Sequence, residues 1–421
     1  MNRTLIERGR HATPGTGVPV RLQPSLASRR RMTLLLGVNH PIRSLLSFAL
    51  LGLAPLTGLA AEHPPVLPIG SPLPDFKLPG VDGKTYTPAD FAAAKFLVVV
   101  FTCNHCPTAQ AYEERIKQLV TDYAPKGVAL VAINPNSAAA VRFDEMGYGD
   151  LGDTFAEMKI RAEHHKFNFP YLDDGETQAV VTKFGAVATP HVFIFDQARK
   201  LRFQGRIDNS ENVALVKVHD TRAALDALLE GKDPEIKTTR VFGCSVKWKD
   251  KIPDNERWMA RVAKEPVALA KVDAAGLKVL RANADSGKLR LVNFWATWCG
   301  PCVSEFDEVV EQNLRFRQRA FELVTVAAES PKEEGKVLDF LQKHHASTRN
   351  LIFGDDDKYA LIEAFDKDWN GELPYTLLIS PEGKVLYRES GSIDFVALRR
   401  VIVPEIEKIK PWQNRDKSYE R

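Results

Sequence analysis

One pattern, met twice, restricts the folds open to this chain more than any bulk property. "KFLVVVFTCNHC" at residues 95–106 and "LRLVNFWATWCGPC" at 289–302 each carry an apolar run, a short turn and a Cys-x-x-Cys pair. Apolar runs of this length, bounded by turn residues, suit buried strands. Behind each pair comes a stretch with apolar residues three or four apart, "PTAQAYEERIKQLVTDY" and "VSEFDEVVEQNLRFRQ", which predicts a helix. A second apolar strand follows in each copy, "GVALVAIN" and "FELVTVAA". The parallel continues through "ATPHVFIFDQARKLRFQGRID" (188–208) and "ELPYTLLISPEGKVLYRESGSID" (372–394), each an X-Pro, a strand, a turn and another strand, with a final helix after them. Strand, helix, strand, hairpin and helix make an α/β unit with a mixed central sheet. Cys103 and Pro190 lie 87 positions apart but Cys299 and Pro374 only 75, so the first copy holds about a dozen additional residues, expected within 137–170.

At 421 residues the chain exceeds what one core usually organises, and two such units account for it. Hydrophobic residues at 44% and charged residues at 26% give the balance of a soluble globular protein. The 57 basic against 54 acidic side chains offer no electrostatic footprint for nucleic acid. Small molecules and other proteins are the expected partners. The first 61 residues differ in kind: they are arginine-rich to residue 31, and Arg43 then precedes the apolar "SLLSFALLGLAPLTGLAA" (44–61), with Gly58 and Ala60 as the small residues of a cleavage site. This predicts a secretory signal cut near Ala60 and a periplasmic mature protein. The alternative is an uncleaved anchor facing the periplasm, disfavoured by Pro55 and by a run shorter than the about 20 apolar residues a span needs. Membrane contact is expected only in that case. The paired arginines of "SRRRMTLL" weakly resemble a twin-arginine signal, and Met32 is an alternative start. The expected division is an extension over 1–61, a first domain over 62–245, a linker over 246–264 and a second domain over 265–415.

Five cysteines are too few for a disulfide scaffold, yet four of them fall in the two pairs. Spacing alone leaves zinc ribbons, haem attachment and disulfide exchange open. Covalent haem needs a histidine directly after the second cysteine, where Pro107 and Val303 stand. A zinc site shared by the two pairs would join distant repeats, against spacings of roughly 15–20 residues in zinc ribbons. A Cys-x-x-Cys loop is too small for its closure to stabilise much. Reactive dithiols are the reading that survives, with no metal and no cofactor expected.

Both halves resemble thioredoxin-fold domains. The second, with "WATWCGPCVSEF", "ELPYTLLISPEGKVL" and Asn293 where thioredoxin has a buried aspartate, is similar to the extracytoplasmic TlpA/ResA-type thiol-disulfide oxidoreductases. The first, with "GSPLPDFKLPGVDGKTYTPADF", "FTCNHCPTAQAYEER" and "VFGCSVKWK", resembles peroxiredoxin-like proteins of the AhpC/TSA-related group that carry a thioredoxin-type cysteine pair. The expected fold class is α/β, two tandem thioredoxin-like domains, each a mixed central sheet flanked by helices.

Disulfide exchange runs through a thiolate, and a free thiol of pKa about 8.5 is mostly protonated at neutral pH. A helix N-terminus favours the anion through its unpaired N–H groups and its dipole. Cys103 and Cys299 are read as occupying that place and as the attacking nucleophiles, with Cys106 and Cys302 as the resolving thiols. Gly300-Pro301 is the dipeptide of reducing thioredoxins, whereas His105 sets an imidazole beside a thiol and stabilises its anion. The first centre is therefore expected to be the more oxidising and to draw electrons from the second. The resemblance implies that Pro190 and Pro374 take the cis-proline position beside the cysteines, where the preceding backbone can pair with a bound peptide. It also implies that Glu305 handles the proton of Cys302, the alternative being a solvated surface glutamate. Trp295 and Trp298 are expected to pack around the second centre and limit water. Cys244 is either a third redox thiol, able to pair with Cys103 or Cys106, or a buried apolar residue.

The function these readings favour is an exported thiol-disulfide oxidoreductase acting on protein thiols and disulfides, supplied by an unidentified electron donor and able to relay electrons between its domains. A thiol peroxidase using the first domain, suggested by the "CPT" string at 106–108, is one alternative. A non-enzymatic module that holds thiol-bearing clients is the other.

Overall fold

The computed structural model describes residues 64–413 together with Lys417 and Tyr419. The expected export signal and its alternatives lie outside the described residues. The first domain opens with a small hairpin, β1 (Leu78–Pro79) and β2 (Thr85–Tyr86). It continues through β3 (Phe96–Phe101), α1 (Pro107–Tyr123), β4 (Val128–Asn134), α2 (Phe155–His164), β5 (Tyr171–Asp173) and α3 (Ala179–Phe184). The strands β6 (Ala188–Thr189), β7 (His191–Phe195) and β8 (Leu201–Gly205), the helix α4 (Asp220–Leu229) and a last short strand β9 (Cys244–Ser245) complete it. Its main sheet runs β5-β4-β3-β7-β8, with β3 parallel to β4 and antiparallel to β7.

The central strand shows why the sequence takes this form. In β3 the side chains alternate between two cores: Val98 and Val100 meet Tyr112, Ile116 and Leu119 of α1, while Leu97, Val99 and Phe101 meet Phe184, Phe193 and Phe195. A strand covered on both faces must be apolar at every position, hence the uninterrupted run. Leu97 to Phe101 are all at most 1% exposed, and each contributes about 1.5–3 kcal/mol of burial.

The stretch 246–264, read as a linker, carries α5 (Ile252–Val262). The second domain follows as β10 (Leu269–Val272), α6 (Ala274–Ala282), β11 (Leu289–Trp295), α7 (Gly300–Phe316), β12 (Phe321–Ala327) and α8 (Glu334–Lys343). It ends with β13 (Arg349–Phe353), α9 (Lys358–Phe365), β14 (Tyr375–Ile379), β15 (Val385–Ser390) and α10 (Phe395–Ile409). The sheet order is β10-β13-β12-β11-β14-β15, so β11 holds the central place that β3 holds in the first domain. This is the mixed α/β repeat expected of tandem thioredoxin-like domains. Among the described residues no helix is long and apolar enough to cross a membrane.

The additional residues of the first domain lie between β4 and α2, and they meet the second domain. Phe143 packs with Trp258, Val262 and Leu314. A Cβ on Gly147 would overlap the Arg315 carbonyl oxygen, so the close approach of the two backbones requires glycine there. Arg319 donates to the Gly147 carbonyl at 2.8 Å and covers the Tyr148 ring. Asp150 receives Arg399 on its carbonyl at 2.6 Å and Arg400 on its carboxylate at 3.1 Å.

Candidate active site

Each cysteine pair stands where the central strand turns into the following helix. In the second domain Gly300 and Pro301 occupy the first turn of α7, and Cys299 is its N-cap, accepting the Cys302 N–H on Sγ at 3.3 Å. Cys299 and Cys302 are joined by a disulfide, and both are nearly buried. Leu373-Pro374 is cis. Among the described residues no strand pairs with the backbone just before Pro374, because β14 begins at Tyr375.

Glu305 is buried, not solvated. One carboxylate oxygen accepts the Ile393 N–H at 3.0 Å and the other has no hydrogen-bond partner among the described residues. Burial raises its pKa, opposed by the Ile393 bond. Trp295 is fully buried against Phe306 and Phe340, ring centres 4.6 and 4.7 Å away. Trp298 departs from expectation at 65% exposed: Trp295, Phe306 and Phe340 already fill the space behind the cysteines, which leaves Trp298 on the surface.

In the first domain the helix starts one turn later. Its N-cap is Cys106, which accepts the Ala109 N–H on Sγ at 3.4 Å, and Pro107 is the first helical residue. The sequence predicts Cys103 at the helix N-terminus, whereas the structure puts Cys106 there. Proline lacks an N–H and is accommodated in the first helical turn, so Pro301 lets α7 start behind Cys299, whereas Pro107 moves the start of α1 behind Cys106. Cys103 stays on the preceding turn, its Sγ 3.1 Å from the Thr189 hydroxyl.

The electrostatics follow the helix. Burial alone would raise Cys106, yet the Cys103 and Cys244 thiols, the His105 imidazole and the Ala109 N–H hold it well below the ordinary thiol value. Burial, the Cys106 bond and the charge of Asp153 push Cys103 well above it. In this centre the charge and the helix N-terminus both favour the anion at Cys106 rather than at Cys103.

His105 is buried beside the cysteines. Its Nδ1 lies 2.6 Å from an Asp153 carboxylate oxygen. Burial opposes protonation of the ring, but the Asp153 carboxylate outweighs it and raises the histidine. Asp153 also accepts the backbone N–H groups of Asn104 at 2.8 Å and His105 at 3.1 Å, and the Asn136 amide at 2.8 Å. The charge and bond of His105, followed by the Asn136 and Asn104 bonds, outweigh burial and lower its pKa. Asp153 comes from the additional residues, whose excess over the second repeat was the one signal available in the sequence. Donor atoms of Cys103, His105 and Asp153 lie within 4.8 Å of one another and so could meet a metal ion. Both oxygens of Asp153 are already engaged by N–H groups, which suits an ion-paired cluster better than a ligand set.

Thr189-Pro190 is cis, as at the second centre, but here the backbone before the proline is occupied. Strand β9 pairs antiparallel with β6, Thr189 opposite Cys244 and Ala188 opposite Ser245. Cys244, partly exposed, packs on the cluster of Cys103, Cys106 and Ala109, and its N–H points at the Cys106 sulfur at 3.4 Å. The Thr108 hydroxyl of the "CPT" string donates to Glu211 at 2.7 Å, and Trp412 holds the other Glu211 oxygen at 3.2 Å.

Strand-to-helix turns of this kind, each presenting a capped sulfur beside a second one, define a thioredoxin-like dithiol protein. The AhpC/TSA family profile matches residues 69–204 and 264–388, more than half of the chain, and the protein belongs to that family. It is 34% identical over 107 residues to the thiol-disulfide oxidoreductase ResA of Bacillus subtilis, and 29% identical over 121 residues to a thiol:disulfide interchange protein DsbE homologue of Paracoccus denitrificans. These matches take in 25% and 28% of this chain, and the chain spans 55% and 60% of the length of the two relatives. Among solved structures, an uncharacterised conserved protein of Geobacillus kaustophilus is 39% identical, covering 43% of this chain and 93% of its own with a TM-score of 0.39.

Proposed function

We propose that this protein is a thiol-disulfide oxidoreductase whose second domain exchanges disulfides with protein thiols and whose first domain is an enclosed partner centre. The observation that carries the reading is the contrast between the two centres. Cys299 caps a helix near the backbone before cis-Pro374, with which no strand pairs among the described residues, and next to the exposed Trp298, which leaves a place for an extended peptide, whereas β9 takes the corresponding place in the first domain. A client thiolate attacks Cys299, breaking its bond to Cys302, which leaves as the thiolate. A second client thiol then attacks the mixed disulfide and releases Cys299. Glu305, with a free oxygen and a raised pKa, supports the proton carried by Cys302.

Electrons pass from the second centre to the first, because the capped Cys106 thiolate beside His105 favours the reduced state there. The apolar, arginine-preceded run at 44–61 supports export to the periplasm. The test uses the full chain: reduction and oxidation of a model protein disulfide, with Cys302→Ser to trap a mixed disulfide on Cys299. Exchange that survives Cys299→Ser overturns the reading. Peroxide consumption with dithiothreitol as donor and a rate set by Cys106 would replace it with the peroxidase. Equilibration of each centre with glutathione in variants lacking the other reports the direction, and a more reducing first centre reverses it.

A further inference from the structure

The oxidoreductase reading leaves a difficulty at the first centre. Cys103 is 2% exposed and Cys106 is fully buried, so neither sulfur meets a partner in solvent. Cys244 is the one cysteine of the cluster with exposed surface, and it lies against Cys106. Its position is built into the fold. Strand β9 is fixed at Thr189 on one side, and beyond it Lys247 donates its N–H to Asn136 at 2.8 Å and its ammonium to Glu145 at 2.6 Å. Gly243, just before Cys244, has φ +136°, and a Cβ there would overlap the Thr189 carbonyl oxygen. The chain thus approaches the centre in the strand pairing by which an extended peptide would bind, and carries its own cysteine into it.

We propose that Cys244 is a third catalytic thiol, sharing Cys106 with Cys103, through which oxidising equivalents pass between the buried pair and the surface. This rests on the oxidoreductase reading and extends it. Starting from a Cys103–Cys106 disulfide, the Cys244 sulfur attacks Cys106. The Cys103–Cys106 bond breaks as the Cys106–Cys244 bond forms, and Cys103 leaves with the proton that Cys244 gives up. No external oxidant is consumed in this step. An incoming protein thiolate then attacks the partly exposed Cys244 and expels Cys106 as the thiolate. A second thiol of the same client attacks the mixed disulfide, so one client disulfide forms and Cys106 and Cys244 are both reduced. Cys106 suits the central place because a sulfur held as the anion leaves readily.

The test is disulfide mapping of the full chain by mass spectrometry after oxidation with glutathione disulfide and acid quenching. Both Cys103–Cys106 and Cys106–Cys244 linkages are expected in the native sequence, and Cys106–Cys244 alone in Cys103→Ser. Cys244→Ala should keep the Cys103–Cys106 linkage but form it about tenfold or more slowly, the half-exposed entry being lost. Gly243→Ala retains every cysteine and should lower the share of the Cys106–Cys244 linkage. Free Cys106 and Cys244 in Cys103→Ser, or oxidation of Cys244→Ala at the native rate, overturns the proposal. Alkylation of Cys299 in the same samples separates the two ideas: an exchanging Cys299 beside an inert Cys244 removes this inference alone, while an inert Cys299 removes the oxidoreductase reading itself.

Discussion

Asp153→Asn isolates the group that supports the first centre without touching a sulfur. The native carboxylate accepts four N–H groups: the backbone of Asn104 and His105, the His105 ring and the Asn136 amide. An asparagine can keep its oxygen toward the two backbone donors, but its amide then faces the His105 ring and the Asn136 amide. The ring sheds its proton and the Asn136 donor is left buried without an acceptor. Loss of the charge-assisted bond and one orphaned amide amount together to about 3–5 kcal/mol, the range for breaking a buried ion pair. The pH dependence follows from the direction of each shift. The His105 contribution is present in full below its ordinary 6.5 and is lost as pH rises through its raised folded value; that of Asp153 is present in full above 3.8 and is lost as pH falls through its lowered one. The penalty should therefore be greatest between those two values and shrink in alkali. Hydrogen exchange of the β3 and β4 amides reads the opening of the first domain, with β11 and β12 as the internal control. A penalty below about 1 kcal/mol near pH 5, or one undiminished at high pH, refutes a charged His105–Asp153 pair.

Three further outcomes are expected. Glu305→Gln should slow the release of Cys302 in stopped-flow exchange by about tenfold and remove the fall in stability that a raised carboxyl causes as pH rises through its folded value, which a denaturation series against pH measures. Trp298→Ala should leave stability within about 0.5 kcal/mol, because the ring is exposed, yet weaken exchange with protein disulfides more than with glutathione disulfide. Gly147→Ala should lower stability by about 1–3 kcal/mol through overlap with the Arg315 carbonyl and expose the α5 region to limited proteolysis, with the exchange at Cys299 intact.

The repeat was legible because a strand buried on both faces has to be written as a continuous apolar run, and two of them precede cysteine pairs. The helix register was legible in principle from Pro107 against Pro301, but the cysteines of the two copies align and their prolines do not. Asp153 was out of reach. Arithmetic finds the surplus residues, but a contact across 48 positions depends on how that segment folds back. Strand β9 escaped for a related reason: two residues carry no periodicity, and only pairing with β6 defines them. Trp298 was misplaced since its spacing from Cys299 says nothing about which of two neighbouring tryptophans the core has room for.

The two copies turn one scaffold to different ends through small changes at fixed places. With proline between the cysteines, the first sulfur caps the helix; with proline after them, the second sulfur caps it. A buried thiolate needs a counter-charge, which the additional residues answer by bringing Asp153 under His105. The same residues fasten the first domain to the second through Gly147, Asp150 and their arginine partners. Charge balance and domain docking are thereby carried by one segment, so a change that loosens the interface should also disturb Cys106. Gly147→Ala supplies the comparison: if the segment acts as a unit, the thiolate-absorbance pH profile of the first centre should move upward together with the loss of interdomain protection. A profile that stays in place while the interface opens would separate the two roles and leave Asp153 held by the first domain alone.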